Sequence, residues 1–386
     1  MEIRLRSNDD FAFFALKGGL HAFEVKTVRN NSARLIYRIR QRVRFNFRDN
    51  IEGWHSGRSP AQSGVQYIHG NGPLSVFNPG IQRLNTGQAH WHILGAGAIG
   101  SLFADALSTD GRQVSLILRD GVHGKIRTQA VERGDLVSEK HFKTTGPRGH
   151  TGISHLLVTT KAYDVCSAID SVVHRLNPDC NIVLLSNGMG FQEQVLASLP
   201  SLNIYCGTTT EGAHLLAAGH VRHAGSGETR IGRAAKIADD RRPLWFHQWE
   251  RAIDNSVWDS DIQPALWTKL AINCVINPLT ALNRCHNGEL GASKSLANQV
   301  APLRDEIAAV CRAQGHAEIA EALPRITAAV IQATSDNRSS MLQDIDAGRL
   351  TEIDYITGYL LEVADQHSID TPLNRALFEA IKSRAH

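Results

Sequence analysis

Hydrophobic and polar positions change their rhythm twice along this chain. From residue 90, short apolar runs alternate with stretches of helical period. HWHILGAGAIGSLFADALSTDGRQVSLILRD (90–120) reads as strand, glycine-rich turn, helix, glycine-containing turn and strand. The run HLLVTTKA (155–162) predicts a third strand before an apolar-periodic helix over 164–176. NIVLLSNGMG (181–190) predicts a strand that leads into a helix over 191–199. Such alternation points to an α/β class, a Rossmann-like doubly wound parallel sheet. Past about residue 260 the strand pattern stops. ALWTKLAINCVINPLTAL (265–282), the runs at 297–313 and 318–334, and TEIDYITGYLLEVADQH (351–367) all keep helical spacing, so an all-helical C-terminal domain is expected. The expected division is an N-terminal extension over 1–88, a dinucleotide-binding domain over 89–259 and a helical substrate and catalytic domain over 260–386.

Residues 1–88 obey neither rule. Arg-rich alternation in LIYRIRQRVRFNFR (35–48) is followed by the Gly-, Ser-, Asn- and Pro-rich HSGRSPAQSGVQYIHGNGP (55–73). Alternation permits a strand, but the segment offers few partners for a sheet. It is therefore expected to be poorly ordered, to lie outside the catalytic body and to be dispensable for turnover. Charge separates the two parts as well. Residues 1–90 hold thirteen of the 41 Lys and Arg but six of the 38 Asp and Glu, leaving 28 basic and 32 acidic residues for the body. The net charge of +3 thus hides a mildly acidic body, which argues against a dedicated nucleic-acid binder. Six cysteines without a Cys-x-x-Cys pair exclude a zinc ribbon and fit free thiols. No apolar run reaches the ~18 residues needed to span a bilayer. A cytoplasmic protein without membrane or nucleic-acid partners is expected.

Gly95, Gly97 and Gly100 form G-x-G-x-x-G between a predicted strand and helix. The first glycine suits a tight turn, the second a close approach of backbone to pyrophosphate, and the third close packing of helix on strand. The stretch Gly95, Ala96, Gly97, Ala98, Ile99, Gly100 is accordingly the candidate phosphate cradle; a merely structural glycine turn is the plain alternative. At the end of the second strand, where an acidic residue would bind the ribose hydroxyls of NAD, stands Arg119. A guanidinium there favours the 2′-phosphate of NADP(H), although Asp120 follows directly. Lys161 and Asn187 end apolar strand runs, where ligands of open α/β sheets bind. A solvated strand-end lysine and an Asn-Gly turn are their plain readings. In the helical part, Lys269, Asn273 and Asn277 recur every four residues and share one helical face. One cation and two amides on an otherwise apolar helix suit an oxygenated small molecule, or else a solvated stripe. Asn337, Ser339, Ser340 and Glu352 follow at a distance, and Glu352 can also be read as a helix-start acid.

These segments together resemble the ketopantoate reductase family. LWTKLAINCVINPLTALNRCHNGEL (266–290) and SSMLQDIDAGRLTEIDYITGYLLEVADQHSIDTP (339–372) are similar to its signatures. HILGAGAIGSLFADAL, LLVTTKAYDV and LLSNGMG fall in the family's order, and the likeness spans 91 to about 382. The resemblance implies NADPH-dependent reduction of 2-dehydropantoate to pantoate, in pantothenate and coenzyme A biosynthesis, by a monomer or homodimer. It implies Lys269 as the catalytic lysine and Glu352 as the acidic residue of the site. Asn273, Asn277, Asn337 and Ser340 match substrate-contacting positions. Asn187 matches a cofactor-contacting position, Lys161 a lysine near the nicotinamide, and Arg119 the arginine for the 2′-phosphate. The tract 119–150 departs from the family pattern, and 1–88 has no counterpart. A reductase of another 2-keto acid or lactone is the nearest alternative. A non-catalytic NADPH sensor is the other, and it would be expected to lack Lys269 or Glu352.

Overall fold

The computed structural model describes residues 89–119, 126–235 and 241–384, and before them the backbone of three strands. These strands, β1 (Phe11–Leu16), β2 (Gly19–Arg29) and β3 (Leu35–Arg40), pair in chain order as an antiparallel meander. Over residues 35–40 the expectation that the alternation has too few partners for a sheet is corrected, while 41–48 lie outside the described residues. Segments adjacent in sequence supply them, because antiparallel pairing needs only short connections. The remainder of the 1–88 extension lies outside the described residues, as does Asp120.

The body is built on one sheet. Its strands are β4 (His90–Leu94), β5 (Gln113–Ile117), β6 (Ile126–Arg133), β7 (Leu136–Thr145), β8 (Ile153–Val158), β9 (Leu176–Leu184), β10 (Asn203–Thr209), β11 (Gly212–Ala217), β12 (His220–Gly225), β13 (Thr229–Arg233) and β14 (Ser256–Trp258). Spatial order is β11-β12-β6-β7-β5-β4-β8-β9-β10-β13-β14. The six central strands, β7-β5-β4-β8-β9-β10, are mutually parallel. Chain order reverses between β4 and β8, and the crevice outside the carboxyl ends at such a reversal is where these sheets bind ligands.

Helices α1 (Ala98–Thr109), α2 (Val165–Asp170), α3 (Phe191–Ser198) and α4 (Phe246–Ala252) cover the sheet. On one face Trp91, Ile93, Leu116 and Leu157 pack with Phe103 and Leu107 of α1 and with Phe246 and Trp249 of α4. On the other, Leu156, Val158, Ile182 and Leu184 pack with Val165 and Ile169 of α2 and Phe191 of α3. Burial on both faces explains why these strands read as unbroken apolar runs. The antiparallel additions were not foreseen from strand–helix alternation. Strands β6 and β7 form a hairpin, β11 pairs antiparallel with β12, and β13 antiparallel with β10. No helix lies between the two strands of any of these pairs.

Among the described residues no strand follows Trp258. The remainder is helical: α5 (Gln263–Asn283), α6 (Glu289–Ala292), α7 (Lys294–Ala313), α8 (Ala317–Ala333), α9 (Ser340–Asp346), α10 (Thr357–Gln366) and α11 (Pro372–Lys382). Helix α5 is the hub, packing on α7, α8, α9 and α11. Its apolar face (Leu266, Leu270, Cys274) joins the core that also holds β8 and β9. No helix among the described residues is long and apolar enough to cross a membrane.

Two histidines in the sheet make this fold acid-sensitive. His92 of β4 is 1% exposed, and burial first, then neighbouring His90, Arg175 and His155, pull its pKa down to about 3. Burial likewise lowers His155 of β8 to about 4, with Asp179 opposing. Below about 6.5 the unfolded chain binds protons that the folded chain refuses, so the contribution is complete above that pH and is lost as pH falls toward 3. At pH 5 the cost from His92 alone is about 2 kcal/mol. The thermal midpoint should therefore drop by several degrees between pH 7 and pH 5, and His92→Gln should flatten that dependence. An equal drop in the variant would assign the acid sensitivity elsewhere.

Candidate active site

The glycine turn lies at the carboxyl end of β4, beside the reversal of strand order. Gly95 has φ +107°, and a Cβ there would stand 2.6 Å from the Thr160 amide nitrogen and 2.7 Å from the Thr159 carbonyl carbon. Only glycine fits. At Gly100, in the first turn of α1, a Cβ would meet the Gly95 carbonyl oxygen at 2.0 Å. Gly97 has nothing within 4 Å of its missing Cβ, and as the residue preceding α1 it brings no side-chain cap. Two glycines are thus locked by contacts and the third faces open space at an uncapped helix start. That is the cradle a pyrophosphate requires, with free N–H groups and the positive end of the helix dipole toward it. Ala96 lies within the turn, and Ala98 and Ile99 begin α1. Thr159, which sequence reasoning passed over, fixes the turn by donating its hydroxyl to the Gly95 carbonyl at 2.6 Å.

Arg119 stands two residues beyond β5, with its side chain 82% exposed, and its guanidinium pairs with the Asp164 carboxylate at 2.5 Å. Lys161 and Asn187, beyond β8 and β9, converge on acids of the helical part. The Lys161 ammonium donates to Asp344 of α9 and lies 3.5 Å from Glu352. Glu352, only 4% exposed, also accepts from the Ala162 backbone N–H at 3.0 Å and from the Asn187 amide at 3.2 Å. Burial disfavours the charge on Lys161, but Glu352 and Asp344 outweigh it and hold the pKa above its usual value. The helix-start reading of Glu352 does not account for three contacts to the sheet.

Lys269 projects from α5. Its ammonium donates to the Thr209 carbonyl at the end of β10, at 2.8 Å. It shares a small pocket with Ser186, Asn187, Gly188, Gly207, Thr208, Leu266 and Leu270. Lys269 is only partly exposed, and dense packing makes burial the leading influence and lowers its pKa to about 8, with the Glu352 charge opposing. Glu352 thus acts on Lys269 through space, while the Thr209 carbonyl holds the ammonium directly.

Asn273 and Asn277 follow Lys269 by one and two turns of α5, half-buried and 6% exposed respectively. They do not line the Lys269 pocket. Asn337 and Ser340 are exposed near the start of α9. Their neighbour Ser339 is structural, capping α9 through the Leu342 N–H at 3.2 Å and accepting the Thr280 hydroxyl at 2.7 Å. Lys161, Asn187, Glu352 and Lys269 are therefore gathered at one edge of the sheet, whereas none of Asn273, Asn277, Asn337 and Ser340 lines the Lys269 pocket. Asp344 and the Thr209 carbonyl were missed. Asp344 lies four residues after Ser340 on one helical face, a spacing that could have flagged it; a backbone carbonyl leaves no sequence signal. The arrangement places a cation of lowered pKa and an amide at a ligand-binding edge, where they can donate to an oxygen and supply a proton.

Residues 91–236 match the family model described as ketopantoate reductase PanE/ApbA, and residues 261–385 match that of its C-terminal part. The chain is 37% identical over 291 residues to the 2-dehydropantoate 2-reductase of Vibrio cholerae, covering 75% of this chain and 96% of that one. The same enzyme of Archaeoglobus fulgidus is 30% identical over 301 residues, covering 75% and 96%. Among solved structures, a probable 2-dehydropantoate 2-reductase from Bacillus subtilis superposes with a TM-score of 0.65 at 27% identity, covering 76% of this chain and 99% of that one. A D-mandelate dehydrogenase bound to NADH and anilino(oxo)acetate shares the fold, with a TM-score of 0.70 at 23% identity over 77% and 98%.

Proposed function

The chain belongs to the ketopantoate reductase family, and we propose from that premise that it reduces 2-dehydropantoate to pantoate with NADPH. The observation that carries the mechanism is the Lys269 ammonium, enclosed beside Asn187 and brought to a pKa of about 8. The reduced nicotinamide supplies the hydride. What the protein adds is a place for the charge that then gathers on the ketone oxygen. Lys269 stabilises that oxygen and gives it a proton, and a pKa near the working pH makes it a far better acid than an exposed lysine. The Thr209 carbonyl aims the ammonium. Glu352 and Asn187 lie where they can bind a substrate hydroxyl, and Asn273, Asn277 and Asn337 offer amides without adding charge. Ser340 would take the carboxylate. The glycine turn would hold the pyrophosphate, with Lys161 toward the nicotinamide side. Oxidation of NADPH by the purified protein across a panel of 2-keto acids and lactones tests the reading; 2-dehydropantoate should give the highest kcat/KM, and another substrate exceeding it would move the assignment within the fold.

Arg119 is assigned to the ribose 2′-phosphate. Arg119→Ala should raise the KM for NADPH about tenfold, the effect of ~1.4 kcal/mol, and leave that for NADH nearly unchanged. Equal weakening toward both cofactors would make Arg119 a structural residue.

A further inference from the structure

The partner of Arg119 is as informative as Arg119 itself. Strands β5 and β8 flank β4, so the ion pair between Arg119, beyond β5, and Asp164, beyond β8, reaches across the end of β4 that carries the glycine turn. Among the described residues the Asp164 carboxylate is paired with Arg119 and does not serve the helix that follows it. Asp164 precedes α2, but its side chain does not cap that helix. Its backbone is fixed independently: the N–H donates to the Lys161 carbonyl at 2.9 Å and the carbonyl accepts the Ser167 hydroxyl at 3.1 Å. The carboxylate is thus held against the guanidinium at 2.5 Å while the rest of the Arg119 side chain is exposed.

We propose that Asp164 is a specificity-determining residue that restrains the preference for NADPH by competing with the ribose 2′-phosphate for Arg119. The inference rests on the assignment of Arg119 to that phosphate. A 2′-phosphate carries between one and two negative charges near neutral pH and must displace or sit beside a carboxylate of the same sign. The 2′-hydroxyl of NADH brings no charge and can donate a hydrogen bond to that carboxylate. The same side chain therefore penalises one cofactor and tolerates the other. Such a pair at an exposed site contributes ~0.2–1 kcal/mol and is screened by salt, so the effect is a modest one that shrinks at high ionic strength.

Asp164→Asn keeps the size of the side chain and removes its charge. Dissociation constants for NADPH and NADH, read without turnover from the fluorescence of each cofactor, should show the NADPH:NADH preference rising about two- to fivefold at low salt, with the gain smaller in 0.5 M NaCl. An unchanged or reduced preference, with Arg119→Ala still losing NADPH selectively, would overturn the role of Asp164 alone. If Arg119→Ala fails to discriminate between the cofactors, Arg119 does not read the phosphate, and the inference falls with that assignment. A thermal midpoint within about 2 °C of wild type confirms that the Asn variant is folded. If it is not, Asp164→Ser carries the same test.

Discussion

Replacing Lys269 by alanine is expected to lower turnover at least a hundredfold, the usual contribution of a positioned general acid. Cofactor affinity should change little, because the glycine turn joins β4 to α1 and Arg119 stands just beyond β5, while Lys269 stands on α5. Arginine should not rescue the loss. It keeps the charge, but the guanidinium is a very poor proton donor and cannot take the same single bond to the Thr209 carbonyl in the same space. The pH dependence carries the sign of the mechanism. Burial lowers the Lys269 pKa to about 8, so the ammonium is mostly protonated at pH 7 and is lost as pH rises through 8. Reduction should therefore fall on the alkaline side of about pH 8, well before an exposed lysine would titrate. Stopped-flow or steady-state oxidation of NADPH between pH 6 and pH 10 reads both effects. Near-normal turnover in Lys269→Ala would end this mechanism even though membership of the family stands.

How much of this was legible in the sequence depends on what each residue's neighbours are. The glycine turn could be read in full, because each glycine's role follows from local strand–turn–helix geometry; Gly95, Gly97 and Gly100 meet backbone, open space and backbone in turn. Four strands of the parallel core (β4, β5, β8 and β9) and the helical end followed from periodicity, while β7 and β10, which complete that core, did not. The hairpins did not, since β6 and β7 lie in a tract without intervening helices and alternate too irregularly to be told from loops. The lysines were found by spacing and position, but their partners were not. Lys161 and Glu352 are 191 residues apart and meet only because the helical part returns to the sheet edge. Lys269 is held by a backbone carbonyl, and a carbonyl has no letter. Arg119 was read from its place after the second strand, yet Asp164 beside it follows a different strand, β8, and only topology makes them neighbours.

Glu352→Gln separates the chemical role of that carboxylate from the plain one. The variant keeps the shape of the side chain and an acceptor for the Ala162 N–H, but it takes one of two negative charges away from Lys161. Disrupting a buried, hydrogen-bonded charge pair costs ~2–5 kcal/mol at the site it serves, so kcat/KM for reduction should fall by about a hundredfold. Two further readouts decide what that loss means. Glu352 raises the Lys269 pKa against the effect of burial; without its charge the pKa moves down from about 8, and the alkaline fall in activity should shift to lower pH. A helix-start acid acting on Ile353–Tyr355 alone would leave the profile where it was and change only the thermal midpoint. Asp344 remains to hold Lys161, so the fold should survive and the comparison stay readable. A hundredfold loss with an unmoved pH profile would place Glu352 in substrate binding and remove it from the tuning of Lys269. A profile shifted to lower pH would show that one buried carboxylate both joins the helical part to the sheet edge and keeps the proton donor charged at neutral pH.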